Sequence, residues 1–197
     1  MKVYIEFTEE LLGTLSGNKK VAEEFILSKR KEGLAEDEIL ELAAMLEKES
    51  TVFARDADGK PHLWDYQVKG FFKEACQAMI GMDCFTKEEL KKFNLTNYMF
   101  KRTIDNLIFV KPRKILLNFT GDIGICERPL RGQTMQGERI SLARSETIPA
   151  GTTIDCEIII MNAKLEPFVS RWLDYGALKG FGQWRNNGKG RFSWAEV

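Results

Sequence analysis

The sequence has little of what metal sites are made from. It contains one histidine, His62, and its four cysteines form no Cys-x-x-Cys pair. Zinc sites in proteins are built from closely spaced cysteines and histidines. We therefore predict no metal site, and we expect the cysteines to be reduced thiols, as is usual in the cytoplasm.

Long apolar runs and cofactor motifs are also missing. No apolar stretch reaches the length of a membrane span, and residues 1–7 are followed by acidic residues, unlike a secretory signal. There is no GxxxxGK[ST] motif, and Gly180-Phe181-Gly182 lacks the third glycine of a dinucleotide fingerprint. We expect a cytoplasmic protein with no membrane partner and no cofactor.

The sequence shows no recognisable catalytic constellation. His62 follows a turn and has no nucleophile or carboxylate motif beside it. Asp122, Glu127 and Asp155 carry metal-binding groups, but their spacing matches no hydrolase site. Binding is therefore favoured over catalysis, and hydrolysis is left open.

The formal net charge is zero, but the charges are unevenly distributed along the chain. Acidic side chains predominate in residues 1–51, and basic ones in residues 101–145 and 164–197. This pattern is typical of a protein with an acidic face and a basic face. A protein that coats nucleic acid by charge alone is excluded.

Residues 175–194, YGALKGFGQWRNNGKGRFSW, are rich in glycine, aromatic and basic residues. Glycines let the main chain expose its N–H groups, and neighbouring cations attract phosphate. Aromatic rings add surfaces on which bases stack. An alternative interpretation is a glycine-rich turn before a closing strand, in which Phe192 and Trp194 alternate into the core. Both interpretations stand at this point.

Two other segments suggest phosphate contacts. Lys69 and Gly70 are predicted at a corner where a strand passes into a helix, and helix N-termini attract phosphate. Residues 121–148 are predicted to form a long β-hairpin, and the arginine fork suits oxyanions. This hairpin carries Arg128, Arg131, Arg139 and Arg144.

The periodicity of the hydrophobic residues predicts an α+β fold. Val3, Ile5 and Phe7 alternate in a first strand, residues 152–161 form the clearest strand, and a helix follows Asn162 and ends at Gly176. Leaving out an acidic helical insertion at about residues 18–50 and the hairpins, the order is strand, helix, strand, strand, helix, strand. This is the order of a ferredoxin-like antiparallel sheet with helices on one face. We predict a single domain over residues 1–197.

The segment GALKGFGQWRNNGKGRF resembles the C-terminal glycine-rich loop of the RAMP superfamily, the RNA-binding subunits of CRISPR effector complexes. Residues 66–70, YQVKG, and residues 148–152, IPAGT, are similar to two further blocks of that superfamily. Together these motifs cover about the last two thirds of the chain. The chain departs from the superfamily pattern in two ways. Gln67 and Asp65 replace the usual small polar residues, and the N-terminal catalytic histidine of the RNA-cleaving members is missing. Residues 128–146 also resemble stretches of phage proteins.

The resemblance implies a RAMP-like protein that binds single-stranded nucleic acid, RNA rather than DNA, without cleaving it. It also implies other effector subunits, or further copies of the chain, as partners. The candidate nucleic-acid-binding residues are Lys69, Gly70, Arg128, Arg131, Arg139, Arg144, Lys179, Gly180, Gly182, Trp184, Arg185, Lys189 and Arg191.

Two other functions are compatible with the sequence. A phage-encoded protein of this kind would act against host defence by mimicking or capping a CRISPR effector, or would self-assemble, with the acidic helices as the docking face. Alternatively, the glycine-rich run would hold a small anionic ligand such as a nucleotide.

Overall fold

The computed structural model describes residues 1–18, 47–82, 84–134 and 137–197. Residues 19–46, which hold nearly all of the predicted helical insertion, lie outside the described residues. At its two ends, Leu15–Asn18 and Glu47–Val52 are strands that pair antiparallel, so Glu47 and Lys48 are in a strand and not in the predicted helix.

The described residues form strands and helices in alternating groups, and no described helix is long and apolar enough to cross a membrane. In chain order the strands are β1 (Lys2–Phe7), β2 (Leu11–Leu12), β3 (Leu15–Asn18), β4 (Glu47–Val52), β5 (Ala54–Arg55), β6 (Pro61–Trp64), β7 (Ile108–Lys111), β8 (Lys114–Leu116), β9 (Gly124–Thr134), β10 (Gly137–Ile148), β11 (Thr153–Ile160) and β12 (Phe192–Glu196). The helices are α1 (Asp65–Gly81), α2 (Lys87–Lys92), α3 (Phe100–Leu107) and α4 (Glu166–Lys179), and 3-10 turns lie at Ala163–Leu165 and Arg185–Asn187.

The central sheet has the strand order β12-β1-β11-β7, and all its pairings are antiparallel. Val3, Ile5 and Phe7 are buried while Lys2 and Glu6 are exposed, which confirms the predicted alternation of β1. The buried residues of the sheet share one core with the apolar sides of α1 and α4. The protein is therefore a mixed α+β structure in which these two helices cover one face of the central sheet.

The described residues form two further sheets, one of five strands and one of three. β9 and β10 form an antiparallel hairpin that runs from Gly124 opposite Thr147 to Thr134 opposite Gly137, which confirms the long hairpin predicted over residues 121–148. β10 also pairs with β2, in antiparallel orientation, and with β4, in parallel orientation. β5, β6 and β8 make the third sheet, with a Gly59 turn between β5 and β6.

The position predicted for Lys69 and Gly70 was wrong. α1 begins at Asp65, so both residues lie inside the helix and not at a strand-to-helix corner. The Gln67 side-chain oxygen accepts a hydrogen bond from the Trp64 backbone N–H at 2.7 Å, which caps the helix four residues before the expected start.

The predicted end of α4 was also wrong. The helix continues past Gly176 and stops at Gly180, which has φ of +91°. Gly176 is buried inside the helix, where an added Cβ would collide with the rings of Phe71 and Phe192. Gly176 therefore provides space for helix packing, and the helix ends at the next glycine, Gly180.

The four cysteines are free thiols in different environments: Cys84 is exposed, Cys126 is half-buried, and Cys76 and Cys156 are buried. Burial raises the pKa of Cys76 to about 12 and that of Cys156 to about 11. In the described part of the chain, no three His, Cys, Asp or Glu side chains are grouped to hold a metal ion.

We expect Ellman's reagent at pH 8 to modify Cys84 first and Cys126 more slowly, because only an accessible thiolate attacks the disulfide of the reagent. Cys76 and Cys156 should react only after unfolding in guanidinium. Cys84→Ser should remove the fast phase and leave the others. Rapid reaction of Cys76 in the native protein would contradict this assignment of the core.

Candidate nucleic-acid interface

The glycine loop, residues 180–190, connects α4 to β12 and is closed by its own backbone. The Phe181 N–H donates to the Gly190 carbonyl at 2.8 Å, and the Gly190 N–H donates to the Glu10 carbonyl at 2.8 Å. A Cβ on Gly190 would overlap the Phe181 carbonyl oxygen, and Gly190 has φ of +69°. Glycine is thus needed where the two ends of the loop cross, and these two N–H groups are already used within the protein.

Three of the four aromatic side chains that follow Gly180 have structural contacts. Phe181 and Phe192 belong to the core, where both rings contact Phe7 and Phe71. Trp194 packs against the core, and its indole N–H donates to Asp174 at 3.0 Å. We predicted Phe181, Phe192 and Trp194 as candidate stacking surfaces. All three instead pack in or against the core, which agrees with the alternative interpretation of a well-packed closing strand.

Trp184 is the exception within this run. It is half-buried, it is not among the residues packed against the core, and its backbone is left-handed, with φ of +55°. The guanidinium carbon of Arg128 lies 5.2 Å from the centroid of the Trp184 ring, over its face. Trp184 is therefore held by the hairpin rather than by the core.

Arg128 connects the hairpin to the glycine loop. It is 7% exposed, and one Nη donates to the Gln183 side-chain oxygen at 2.8 Å, the other to Ser145 Oγ at 3.4 Å. Its Nε has no hydrogen-bond partner, and its contacts within the described residues include no carboxylate. Sequence analysis placed this arginine in a flexible projection. The structure places it in a buried contact with a segment 55 residues away.

The other hairpin arginines are arranged differently. Arg144 is exposed and forms an ion pair with Glu127 at 2.7 Å. The backbones of Arg131 and Arg139 lie in the β9–β10 ladder, opposite Ile140 and Gly132 respectively. Their side chains fall outside what the structure describes.

A cavity of about 220 Å³ lies between α1 and the glycine loop. Gly70 and Gly182 both line it, so two of the predicted contact points do come together. Arg185 also lines the cavity, and its Nη1 pairs with Glu74 Oε1 at 2.6 Å. The remaining lining residues are Glu74 itself, Thr14, Gln67, Phe71 and Phe181.

Lys69 does not line this cavity and faces another part of the protein. Its amine donates to the Asp105 carbonyl at 3.1 Å and lies 4.9 Å from the centroid of the Phe109 ring. Burial lowers the pKa of Lys69, an effect that the nearby Asp105 carboxylate partly offsets. Adjacent residues of a helix are rotated about 100° from each other around its axis, so Lys69 and Gly70 lie on different sides of α1.

The remaining cations of the run surround the loop. Lys179 donates to the Asn186 side-chain oxygen at 2.8 Å, and Lys189 pairs with Glu10 at 2.6 Å. The hydrogen bond to Glu10 raises the pKa of Lys189. Arg191 is exposed. Much of the positive charge seen in the sequence is thus balanced by carboxylates from distant segments.

The face of the central sheet that α1 and α4 leave uncovered is mixed in charge. Lys2 and Lys111 project from it together with Asp155 and Glu157, beside the 42% exposed ring of Phe109. These residues line an open cavity of about 900 Å³. Alternating acids and bases do not favour a phosphate chain on this face.

Comparison with known proteins gives structural likeness only. No protein-family model matches the chain, and a search of curated proteins gives no match. A chain in the cryo-EM structure of the Type III-B Cmr-beta complex bound to cognate target RNA is similar, with a TM-score of 0.49 and 10% identity, over 99% of this chain and 59% of that one. This chain thus spans less than two thirds of the length of that neighbour. A chain of a Type IV-B CRISPR complex has a TM-score of 0.49 and 13% identity, over 98% of this chain and 88% of that one.

Proposed function

We propose that this protein is a RAMP-like, non-catalytic protein that binds single-stranded nucleic acid, RNA in preference to DNA. The binding surface is the glycine loop with the two elements that contact it, the β9–β10 hairpin and α1. The sequence motifs around Gly70, Gly151 and Gly182 support this assignment through their resemblance to the RAMP superfamily.

The order of elements supports a ferredoxin-like assignment. The central sheet is built from β1, β7, β11 and β12, with α1 between the first two and α4 between the last two. This is the β-α-β-β-α-β sequence expected from the hydrophobic pattern. The five-stranded sheet that contains the hairpin and the three-stranded sheet are additions to it, and we propose that residues 1–197 form one domain.

The observation that carries the proposal is the environment of Arg128. A desolvated guanidinium without a carboxylate partner is unfavourable unless something else supplies negative charge. A phosphate beside the glycine loop would supply that charge, because attraction between a buried cation and a nearby anion is only weakly screened by solvent and salt. Arg185, in the same loop, lies beside Gly70 and Gly182, where a backbone can approach closely.

The test is a fluorescence-anisotropy titration of a labelled oligouridylate with wild type, Arg185→Ala and Lys69→Ala. We expect Arg185→Ala to weaken binding by about tenfold, the value of one charge-assisted hydrogen bond. Lys69→Ala is the matched control, and its dissociation constant should stay within about twofold, because this ammonium faces Asp105.

A salt series and a DNA strand complete the experiment. The logarithm of the affinity should fall linearly with that of the salt concentration, with a slope of roughly −0.7 per phosphate contact, and the slope for Arg185→Ala should be shallower. The deoxyribose strand of the same sequence should bind more weakly. Salt-independent affinity, or equal loss in both variants, would refute the proposed surface.

A protein partner is a second candidate, and the uncovered face of the central sheet is the observation that favours it. Exposed Phe109 and Met161 lie there, and aromatic and methionine side chains are enriched at interfaces between subunits. Sedimentation of nuclease-treated protein separates the two candidates. A protomer that still binds a strand supports the first, and self-association without nucleic acid supports the second.

A small anionic ligand such as a nucleotide fits less well. The cavity between α1 and the glycine loop is about 220 Å³, below the range of roughly 300–1,000 Å³ common for small-molecule sites. A nucleic-acid strand that passes along the surface needs no enclosed volume, so we prefer nucleic acid to a small anion as the ligand.

A further inference from the structure

Trp184 has a combination of features that a purely structural tryptophan lacks. Trp64 and Trp172 are fully buried, and Trp194 packs on the core with its N–H bonded to Asp174. Trp184 is half-exposed and is not packed against the core. A large apolar ring held at the surface without core contacts needs another explanation.

Within the described part of the chain, the ring has one recorded face contact. The Arg128 guanidinium lies over one face at 5.2 Å, and it is itself fixed by Gln183 and Ser145. No aromatic ring among the described residues contacts Trp184. One face is thus backed by a buried cation, and the ring is oriented before any ligand arrives.

The backbone at this position is also unusual. Trp184 has φ of +55°, in the left-handed region that bulky residues seldom adopt, and Asn94 is the other non-glycine residue in the described chain with positive φ. Four glycines of the same loop also have positive φ, a conformation that glycine adopts easily because it has no side chain. Strained residues of this kind concentrate at ligand sites, where the surrounding structure holds them in place.

We propose that Trp184 is a base-stacking platform, which takes one nucleobase of a single strand on the ring face opposite Arg128. This inference rests on the proposed function and assigns the base contact within it. The strand then meets a base contact at Trp184 and a phosphate contact at the next residue, Arg185. Stacking is tolerant of sequence because every base has a flat π face, so the platform favours single strands without selecting a base.

The experiment compares two labelled probes of equal length, an oligouridylate and an abasic ribose-phosphate strand. Wild type should bind the oligouridylate about tenfold more tightly, the value of one stacked base. Trp184→Asn removes the ring with a residue that tolerates the left-handed backbone, so it should fold and bind both probes equally. Trp184→Phe keeps a ring and should retain most of the preference.

Trp194→Phe is the matched control, because Trp194 lies in the same segment but has its N–H engaged. It should keep the preference for the base-containing probe. Intrinsic fluorescence gives a second readout: the quenching that accompanies oligouridylate binding should persist in Trp194→Phe and be lost in Trp184→Phe.

The outcomes separate the two proposals. If wild type binds both probes equally, or if Trp184→Asn still prefers the oligouridylate, Trp184 is not the platform although strand binding stands. If wild type binds neither probe, the proposed function fails and this inference fails with it.

Discussion

Gly190→Ala is expected to lower the free energy of unfolding by on the order of 3 kcal/mol or more. The new Cβ would overlap the Phe181 carbonyl oxygen and approach the Phe181 backbone nitrogen. These are backbone atoms, so no side-chain rotation relieves the clash. The hydrogen bond from the Phe181 N–H to the Gly190 carbonyl lies at the same crossing and would be displaced with it.

Gly188→Ala is the matched control for this variant. Gly188 lies in the same loop with φ of +82°, but its added Cβ would meet only the Arg191 side chain, at 3.8 Å. The expected cost is that of left-handed backbone alone, about 1–2 kcal/mol. Chemical denaturation of both variants measures the difference. Equal losses would mean that the crossing of the loop ends is not a tight contact.

Phe181→Ala is expected to cost about 3–5 kcal/mol of unfolding free energy, the usual range for truncating a buried phenylalanine. The Phe181 ring lies in the core, with its centroid 5.6 Å from that of Phe71 and 6.3 Å from that of Phe7. Because this ring anchors the start of the glycine loop, we also expect weaker strand binding at temperatures where the variant is still folded.

Trp184→Asn provides the contrast to Phe181→Ala. Both remove an aromatic ring from one loop, but Trp184 is not packed against the core. Its loss should leave the melting temperature nearly unchanged while binding weakens. If thermal denaturation showed Trp184→Asn to be as destabilising as Phe181→Ala, Trp184 would be a structural residue.

The same distinction explains how the loop can serve binding. The hydrogen bond from the Phe181 N–H to the Gly190 carbonyl holds its two ends, and Arg128 holds its middle through Gln183 and Trp184. A loop fixed at these points loses little conformational entropy when a ligand binds. Anchoring and binding are therefore divided between neighbouring residues of one segment.

Much of the fold was predictable because its signals are local. The alternation in β1 and β11, the turn at Gly59 and the glycines beyond α4 depend on neighbours a few residues away. The helix boundaries were less predictable from the sequence. The start of α1 depends on a Gln67 cap, and Gly176, the predicted end of α4, is instead a glycine inside the helix that makes room for rings from α1 and β12.

The candidate site was predictable in composition but not in arrangement. The sequence named Lys69, Arg128 and Arg185 alike as cations for phosphate. The structure pairs Lys69 with Asp105 and Arg185 with Glu74, and it leaves Arg128 without a carboxylate among its described contacts. Likewise, of Phe181, Trp184 and Phe192, the two phenylalanines are core residues. Nothing in the local pattern distinguishes these residues from one another.

By itself, the sequence determined β1, β11, the β9–β10 hairpin and the turn at Gly59, since backbone preference and hydrophobic period act over a few residues. Only the tertiary structure decided which cation lacks a carboxylate among its described contacts and which ring stays at the surface. Those outcomes depend on partners far away in the chain, such as Gln183 for Arg128 and Phe71 for Phe181. Pairing and burial are properties of the assembled packing, and no single segment encodes them.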